Sequence, residues 1–497
     1  MSEPRPGYLL SPRATIVALA GVLLGMLLAA LNQTIVATAL PSIVEDLGGV
    51  SHYSWVFSAY MLAATVTVPI YGRLSDIYGR RPFFAAGIVL FMAGSVIGGT
   101  ADSMTQLVAA RGVQGLGAGA LIPLAMAVIG DLVPPSDRGR WQGLTGAVFG
   151  FASVLGPFTG GWIADHTDWR WVFFVSLPVG LIALAVVLTT LRIPPHPERA
   201  SKVDYLGAAL LAGGVSSVLL ATVRGGQEAP WGSAEVLGLY AIGAVLIALL
   251  AWHERRTSHP IVPVSLFRLR AFSAAAAAAF AVGVAMFGAI MFVPLFVQGV
   301  LGESATDAGL VLTPLMLALV ATSVGSGQLI SRTGRYRWAL VAGPILMAAG
   351  FVLLGRLDQS STHGAATVAM IVLGLGLGML LQNLVLVVQN SVPSAELGAG
   401  TSAVQFFRNT GGTIGVTVMG AILAAGLPAG AAAGAALGAD PTAAGTSAAR
   451  DQLAHAIHPV FVFGLPLMVI ALALVLLIPE TPLRRTVRET MPEGAPA

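Results

Sequence analysis

The sequence predicts an all-α integral membrane protein, on the evidence of its composition and of how its apolar residues are grouped. Of 497 residues, 56% are hydrophobic and only 10% are charged, which is too little charge for the surface of a water-soluble protein of this size. The apolar residues lie in runs of roughly 18 to 27, long enough for a helix to cross about 30 Å of hydrocarbon. We therefore expect a bundle of helices surrounded by lipid.

The apolar runs predict fourteen membrane-spanning helices. Their approximate bounds are 14–40, 53–72, 83–100, 106–130, 142–164, 171–191, 205–223, 236–252, 272–299, 310–329, 339–355, 365–389, 401–426 and 458–478. The first run is too long for a signal peptide and lacks a clear small-residue cleavage site, so it is kept as a helix.

The basic residues predict the orientation of the bundle. Alternate loops and the two termini hold 20 of the 26 Lys and Arg residues, whereas the loops on the other side hold four, Arg170, Arg224, Arg356 and Arg450. Cytoplasmic loops of membrane proteins carry the excess of Lys and Arg. Both termini are therefore predicted to be cytoplasmic.

An internal repeat predicts two halves. GRLSDIYGRR (72–81) follows the second span, and the similar GQLISRTGRYR (327–337) follows the tenth, 255 residues later. This offset fits two six-helix halves, with spans seven and eight as an inserted pair. The predicted divisions are an N-terminus at 1–13, a first half at 14–204, the inserted pair at 205–255, a second half at 256–480 with an outer loop at 427–457, and a tail at 481–497. Such repeats are typical of secondary transporters, whose binding sites lie between the repeats.

Four motifs carry a family resemblance. They are LNQTIVATALP (31–41) in span one, GRLSDIYGRR (72–81) after span two, RGVQGLGAGA (111–120) in span four and GPFTGG (156–161) in span five. In this order and on these helices they resemble the major facilitator superfamily, in particular its fourteen-helix drug:proton antiporter branch. The resemblance implies the major facilitator fold and a multi-pass monomer in the bacterial inner membrane. It further implies efflux of amphipathic or cationic drugs by alternating access, with the proton gradient as energy source and no cofactor.

The resemblance also implies a cytoplasmic gate and a flexible helix. The gate residues would be Arg73, Asp76, Arg80, Arg81 and Asp131, whose charges can pair with each other and with helix ends. The antiporter motif in span five comprises Gly156, Pro157, Gly160 and Gly161. Small residues allow close helix packing and proline interrupts the backbone hydrogen bonds, which suits a helix that rocks against its partner.

Arg111 and Asn32 form the predicted coupling position. A guanidinium inside the membrane costs at least a few kcal/mol and needs acceptors, and the resemblance makes Arg111 a partner of the first helix. Members of this branch carry a proton-binding Asp at the position of Asn32, and no acidic residue lies in the middle of any predicted span. An amide cannot bind and release a proton, so the resemblance transfers the location of the site and not its chemistry.

Three explanations of Asn32 stay open at the level of sequence. Asn32 is an engineered substitute for a protonated Asp, or the chain is a natural variant with a peripheral proton site at Asp165 or Asp307. Alternatively, the chain works uncoupled, as a facilitator.

The predicted substrate cavity mixes aromatic, methionine and amide side chains. The candidates are Gln33, Trp55, Tyr60, Gln114, Met291, Phe292, Gln382, Asn383, Gln405, Phe406 and Arg408. Flexible apolar surfaces with few fixed polar groups suit substrates of varied shape. Arg408 either faces this cavity or extends toward the cytoplasmic surface.

Other function classes lack their chemistry in this sequence. The chain has no cysteine, and its eight histidines show no metal-ligand spacing, so no metal site is expected. We find neither a phosphate-binding loop with Gly-Lys-Ser/Thr nor a catalytic cluster, and no basic face for nucleic acid. The expected partners are thus amphipathic small molecules, protons and the bilayer. The alternatives are export of a lipid or an endogenous metabolite and, with less support, a sensor that has a transporter fold.

Overall fold

The computed structural model describes residues 11–47, 53–191, 203–225, 229–257, 260–303, 311–427 and 447–483. These residues form fourteen helices, here α1 to α14, one for each predicted span. The bounds are α1 Pro12–Leu47, α2 Tyr53–Tyr78, α3 Arg80–Gly99, α4 Met104–Leu132, α5 Pro135–His166, α6 in two pieces Trp171–Phe174 and Ser176–Thr190, α7 Tyr205–Arg224, α8 Ala234–Glu254, α9 Arg270–Gly299, α10 Leu312–Thr333, α11 Arg337–Leu354, α12 His363–Ser391, α13 Leu397–Ala425 and α14 Ser447–Leu476. The predicted all-α membrane fold is confirmed.

One helix differs in polarity from the rest. Among the described residues, thirteen helices are long and apolar enough to cross a membrane. The helix outside that set is α13, which has 29 residues and is therefore long enough, but which carries Gln405, Arg408 and many Gly and Thr residues. A polar helix at membrane depth is tolerated when it faces protein or an aqueous cavity rather than lipid.

Several helices extend beyond their predicted bounds. α14 begins at Ser447, where the sequence predicted an outer loop until 457, and α1 continues to Leu47 rather than 40. α5 begins at Pro135, seven residues before its predicted start, and proline suits the first turn of a helix. Hydropathy detects only the part of a helix that lies in hydrocarbon, so the polar turns were missed. Residues 428–446 of the predicted outer loop lie outside the described ranges.

The backbone carries the same internal repeat as the sequence. Gly79 joins α2 to α3 with φ of 95°, and Gly334 joins α10 to α11 with φ of 71°. The two positions are 255 residues apart, which is the offset of the two motifs. Both glycines adopt the left-handed conformation that residues with a Cβ avoid, so both repeats make the same tight turn.

Each half has its own hydrophobic core. In the N-terminal half (α1–α6), α1, α3 and α4 pack around Phe84 and Phe91; in the C-terminal half (α9–α14), α9, α11 and α14 pack around Phe296 and Phe351. The inserted pair, α7 and α8, lies beside α2, where Leu211 of α7 packs against Val66. The halves meet mainly along two helix pairs, α2 with α13 and α5 with α10, and also where α12 touches α5 and α13 touches α4. These contacts position the site described next.

Candidate functional site

Arg111 forms a polar centre in the middle of the N-terminal half. Its guanidinium Nη1 donates to Asn32 Oδ1 at 2.5 Å and to Gln114 Oε1 at 2.9 Å, and its Nε donates to the Val56 carbonyl at 3.0 Å. The guanidinium carbon lies 4.2 Å from the centre of the Tyr60 ring, a cation–π contact. Asn32 and Arg111 are almost fully buried. We call these five residues the Arg111 centre.

Further hydrogen bonds extend the Arg111 centre to α3 and α6. Gln114 Nε2 donates to Ser95 Oγ at 2.8 Å, and Ser95 Oγ lies 3.0 Å from Ser176 Oγ. Two buried atoms, Asn32 Nδ2 and Arg111 Nη2, have no hydrogen-bond partner among the described residues. The partner of the Arg111 guanidinium on α1 is the neutral amide of Asn32. No ion pair of Arg111 is found in the described part of the chain. The centre therefore carries net positive charge.

The antiporter motif brings α5 against α1 beside Asn32. Thr34 Oγ1 donates to the Ala152 carbonyl at 3.1 Å, and a Cβ at Gly156 would collide with that same hydroxyl. Gly156 is therefore needed for the close contact of the two helices. A Cβ at Gly161 would meet open space, so helix packing does not require a glycine at position 161. Of this motif, Gly160 is buried, and the side chain of Pro157 lies outside the described set.

The predicted gate residues Asp76, Arg80 and Asp131 lie together at the predicted cytoplasmic end. Arg80 Nη1 lies 2.6 Å from Asp76 Oδ1, and Arg80 Nε lies 2.7 Å from Asp131 Oδ2. The Asp76 carboxylate also accepts hydrogen bonds from the backbone N–H groups of Gly398 at 3.0 Å and Ala399 at 2.8 Å. These two N–H groups belong to the first turn of α13, so Asp76 joins the two halves. We call this arrangement the Asp76 latch.

Helix electrostatics explain why the latch forms at this point. The first N–H groups of a helix have no partner within it and carry partial positive charge, which favours a carboxylate. A Cβ at Gly398 would collide with the Arg80 guanidinium and the Asp76 carboxylate. A glycine at this place in α13 therefore lets both charged groups reach its backbone.

Arg73 and Arg81 do not join the latch. Arg81 is exposed and donates to the carbonyl of Leu188 within its own half. Arg73 is half-buried and close enough to Glu396 to affect that carboxyl. Burial raises the pKa of Glu396, the nearby Arg73 lowers it, and Asp76 raises it further. The five predicted gate residues thus divide into a buried set of three and two at the margin.

A second contact between the halves was absent from the sequence prediction. Gln389 of α12 accepts from Arg138 at its carbonyl (2.9 Å) and from Gln142 Nε2 at its side-chain oxygen (2.6 Å). Its own Nε2 donates to the Met126 carbonyl at 2.9 Å and to Thr401 Oγ1 at 3.2 Å. This Gln389 hub joins α4, α5, α12 and α13. Amides at 142 and 389 within apolar runs were the signal that could have revealed it.

The contact between α5 and α10 depends on glycine and a hydroxyl. A Cβ at Gly327 would collide with the backbone carbonyl of Gly139, so the two helices touch by their backbones. Ser331 Oγ accepts a hydrogen bond from the Arg140 N–H at 3.1 Å. The hydrogen bonds that join the halves here, at the Gln389 hub and at the Asp76 latch all lie toward the predicted cytoplasmic end.

Three of the predicted cavity residues contact neighbouring helices. Phe292 belongs to the hydrophobic core of the C-terminal half, and Phe406 packs against α2 and α7. Asn383 Nδ2 donates to Ser326 Oγ at 3.2 Å and to the Met379 carbonyl, which fixes α12 against α10. These contacts give the three residues a packing role, and a substrate role for them stays a prediction.

The other predicted cavity residues have varied surroundings. Gln33 Nε2 lies 3.2 Å from Met61 Sδ, Trp55 is half-buried, and Met291 is 58% exposed. Gln382 and Gln405 are buried and have side-chain atoms without a described partner. Arg408 is buried as well. A substrate role for all of these residues stays a prediction.

Two helical halves with an internal repeat, a buried polar centre and an ion-paired contact between the halves at one end are the architecture of a multi-pass membrane transporter. Residues 22–416 match the Major Facilitator Superfamily, and the chain belongs to that family. It is similar to the multidrug transporter protein MdtP of Bacillus subtilis, with 42% identity over 81% of this chain and 74% of that protein. It is also similar to multidrug resistance protein 3 of the same organism, with 37% identity over 80% of this chain and 78% of that protein.

A solved structure supports the fold independently. The proton:xylose symporter XylE aligns with a TM-score of 0.62 and 15% identity, over 95% of this chain and 98% of the symporter. At this identity the likeness shows the fold alone. The family, the fold and the relatives are those of transporters rather than enzymes, as the sequence predicted.

Proposed function

We propose that this protein exports amphipathic small molecules, drugs among them, by alternating access across the bacterial cytoplasmic membrane. Two relatives from Bacillus subtilis are multidrug transport or resistance proteins by name. The observation that carries the proposal is the Asp76 latch, since a rocking transporter must make and break contacts between its halves at each end in turn. One chain contains both halves, so we take the monomer as the working unit.

The structure corresponds to the state that is closed at the predicted cytoplasmic end. The Asp76 latch and the Gln389 hub hold α13 and α12 against the N-terminal half there. Loading of substrate from the cytoplasm requires the opposite state, in which the Gly398 and Ala399 N–H groups leave the carboxylate. A ligand or proton favours that state only by binding it more tightly than the closed state.

Energy coupling is the second part of the proposal. We propose that position 32 is where a proton-coupled cycle would exchange its proton, without any cofactor, and that Asn32 holds this chain in a permanent likeness of the protonated carboxylic acid. Its neutral side chain accepts a hydrogen bond from Arg111, but it cannot titrate. The carboxylates of Asp76 and Asp131 are both paired with Arg80. The peripheral candidates Asp165, by its side chain, and Asp307 lie outside the described set.

The coupling proposal is tested with inside-out membrane vesicles that contain the full chain. Ethidium is added after a pH gradient is imposed, and release of protons is followed by a pH-sensitive dye. We expect no ethidium-dependent proton release with the native chain, and clear release with Asn32→Asp, because a carboxylate beside Arg111 can bind and lose a proton. Gln359→Glu adds an acid at an exposed amide and is the matched control.

The outcomes separate the alternatives. Proton release by the native chain would refute the assignment of coupling to position 32. Ethidium uptake that stops at equilibrium, without proton release and at the same rate in the unaltered chain and in Asn32→Asp, would identify an uncoupled facilitator. Growth of expressing cells on a panel of toxic compounds tests export itself, and no gain in resistance to any of them would count against drug efflux.

A further inference from the structure

Helix α13 concentrates buried polar atoms that lack partners. Thirteen buried side-chain nitrogen and oxygen atoms have no hydrogen-bond partner among the described residues, and five of them lie on α13 between residues 402 and 410. They belong to Ser402, Gln405, Arg408 and Thr410, and Gln405 contributes both of its side-chain atoms. Buried polar groups are normally hydrogen-bonded because an unpaired one is costly. This segment therefore holds an unusual concentration of hydrogen-bonding atoms that the described protein groups leave unused.

Arg408 is the strongest feature of this segment. Only 8% of its surface is exposed. Its Nε has no hydrogen-bond partner, and no hydrogen bond or ion pair of its side chain is found in the described part of the chain. A buried guanidinium at membrane depth needs acceptors and almost always marks a functional position. Because Gln405 precedes Arg408 by three residues, both side chains project from neighbouring positions on one side of the helix.

The packing of α13 holds the Arg408 backbone in place. A Cβ at Gly283 of α9 would collide with the Arg408 carbonyl, and Gly411 and Gly415 make the same kind of close contact with α9. The backbone that carries the guanidinium is therefore fixed against α9 by glycine contacts. With the backbone fixed, only the side-chain torsions of Arg408 have to be ordered when a ligand binds, which lowers the entropic cost of binding.

At the depth of Arg111, the described part of the N-terminal half adds positive charge without a carboxylate beside it. The Arg111 guanidinium has an unpartnered Nη2, and its neighbour on α1 is the neutral Asn32. In the described helices, the carboxylates with defined surroundings lie at helix ends, as for Asp76, Asp131 and Glu254. The middle of the bundle thus holds two buried cations and lacks a described carboxylate to neutralise them.

We propose that Arg408, with the Gln405 amide, binds an anionic group of the transported amphiphile: a carboxylate, sulfonate or phosphate ester. A guanidinium presents a planar fork of N–H donors that matches such oxygen pairs. This inference rests on the export function proposed above and specifies its substrate class. It differs from the cationic drugs that the family resemblance implies, because the chain lacks the carboxylate at position 32 that would attract a cation.

The test compares two probes that share one ring system and differ in charge. 2-Naphthalenesulfonate is the anion and 2-naphthyltrimethylammonium is the cation. Uptake of each is measured in inside-out phosphatidylcholine proteoliposomes that contain the full chain. The variants are Arg408→Gln, Arg408→Lys and, as a control for loss of charge, the exposed Arg356→Gln.

We expect the native chain to transport the sulfonate in preference to the ammonium probe. Loss of a charge-assisted hydrogen bond in Arg408→Gln should raise the KM for the sulfonate about 10-fold or more. Arg408→Lys should recover a large part of that loss because it keeps the charge. Arg356→Gln should behave like the native chain, and equal amounts of folded protein are verified by size-exclusion chromatography.

Three results would count against parts of the account in different ways. Transport of the ammonium probe alone would overturn the anion inference and leave export intact. Loss of both probes in Arg408→Gln would also overturn it, because a merely structural role would explain that loss. Transport of neither probe, together with no resistance to any compound of the growth panel, would refute the export function itself.

A last arm identifies the source of the anion. Phosphatidylglycerol is added to the vesicles, and its effect on sulfonate transport is measured in the native chain and in Arg408→Gln. Competition in the native chain that Arg408→Gln abolishes would support the same anion site with a lipid headgroup as a ligand. Competition of equal strength in both chains would show that lipid acts elsewhere and would contradict binding of its headgroup at Arg408.

Discussion

Two of the contacts between the halves, that of α2 with α13 and that of α5 with α10, start from the same repeat and use different chemistry. Gly72 of α2 and Gly327 of α10 are 255 residues apart and each lies against a helix of the opposite half. One turn later, Asp76 accepts two N–H groups at the start of α13, whereas its counterpart Ser331 accepts one near the start of α5. The glycine is the same in both repeats and allows close contact with the opposite half, whereas the polar residue four positions later differs, Asp76 in one repeat and Ser331 in the other.

This difference indicates where the energy of closure is concentrated. Asp76 is buried and paired with Arg80, which also binds Asp131, so removal of its carboxylate disturbs a cluster of three charged groups. Ser331 is neutral and makes a single described hydrogen bond to α5. We infer that the α2–α13 contact responds strongly to changes of charge and that the α5–α10 contact depends mainly on close backbone packing.

The largest effect is expected for Arg80→Gln. Two buried carboxylates would lose their cation, and removal of one partner of a buried ion pair costs about 3–5 kcal/mol. The repeat offers a matched control in Arg335→Gln, because Arg335 lies 255 residues later and is exposed. Thermal unfolding of the purified protein should show a large loss of stability for Arg80→Gln and almost none for Arg335→Gln. Equal losses would remove the contrast between the repeats.

The next largest effect is expected when the repeat-related glycines Gly72 and Gly327 are replaced by alanine. A Cβ at Gly327 would collide with the backbone of Gly139, whereas a Cβ at Gly72 would first meet the side chain of Ser402. At residue 72 the added Cβ would also meet the Ser402 Cβ and the Gly398 carbonyl oxygen, but the Gly139 carbonyl stands closer to residue 327 than any backbone atom does to residue 72. Gly327→Ala should therefore destabilise the closed state more than Gly72→Ala, each by about 1–3 kcal/mol. Limited proteolysis of the two variants checks the order, and the reverse order would place the tighter contact at α2.

A smaller effect is expected for Ser331→Ala. The change removes one hydrogen bond between neutral groups, which contributes about 0.5–1.5 kcal/mol. Export in cells should therefore fall by less than about 10-fold, far less than for Asp76→Asn. If Ser331→Ala abolished export, the neutral contact would have to matter as much as the charged latch.

The smallest effect is a dependence of closure on pH. Burial raises the pKa of Glu396 above its ordinary 4.5, and the nearby carboxylate of Asp76 raises it further by repelling the charged form of Glu396. Protonated Glu396 therefore favours the closed state; this contribution is fully present below pH 4.5 and is lost as pH rises through the raised pKa. Glu396→Gln should remove that part of the pH dependence, as measured by proteolysis at several pH values. If the pH dependence of proteolysis were the same in Glu396→Gln, Glu396 would not be the group that links closure to pH.

The sequence predicted the number and order of the helices because hydropathy and length determine which segments enter lipid. The motifs led to Asp76, Arg80 and Asp131, and the family resemblance placed Arg111 against the first helix, where the hydrogen bond to Asn32 is found. Periodicity cannot reveal contacts between residues far apart in the chain. Asp76 and Gly398 are 322 residues apart, and Arg138 and Gln389 are 251 apart.

The central claim is that the Asp76 latch holds the predicted cytoplasmic end closed. The chain has no cysteine, so spin labels can be placed at Tyr78→Cys and Thr333→Cys, two exposed positions related by the repeat. Double electron–electron resonance in lipid nanodiscs then measures their separation. We predict a population with short separation that Asp76→Asn shifts to longer distances and that Ser331→Ala largely retains. An unchanged distance distribution in Asp76→Asn would contradict the account.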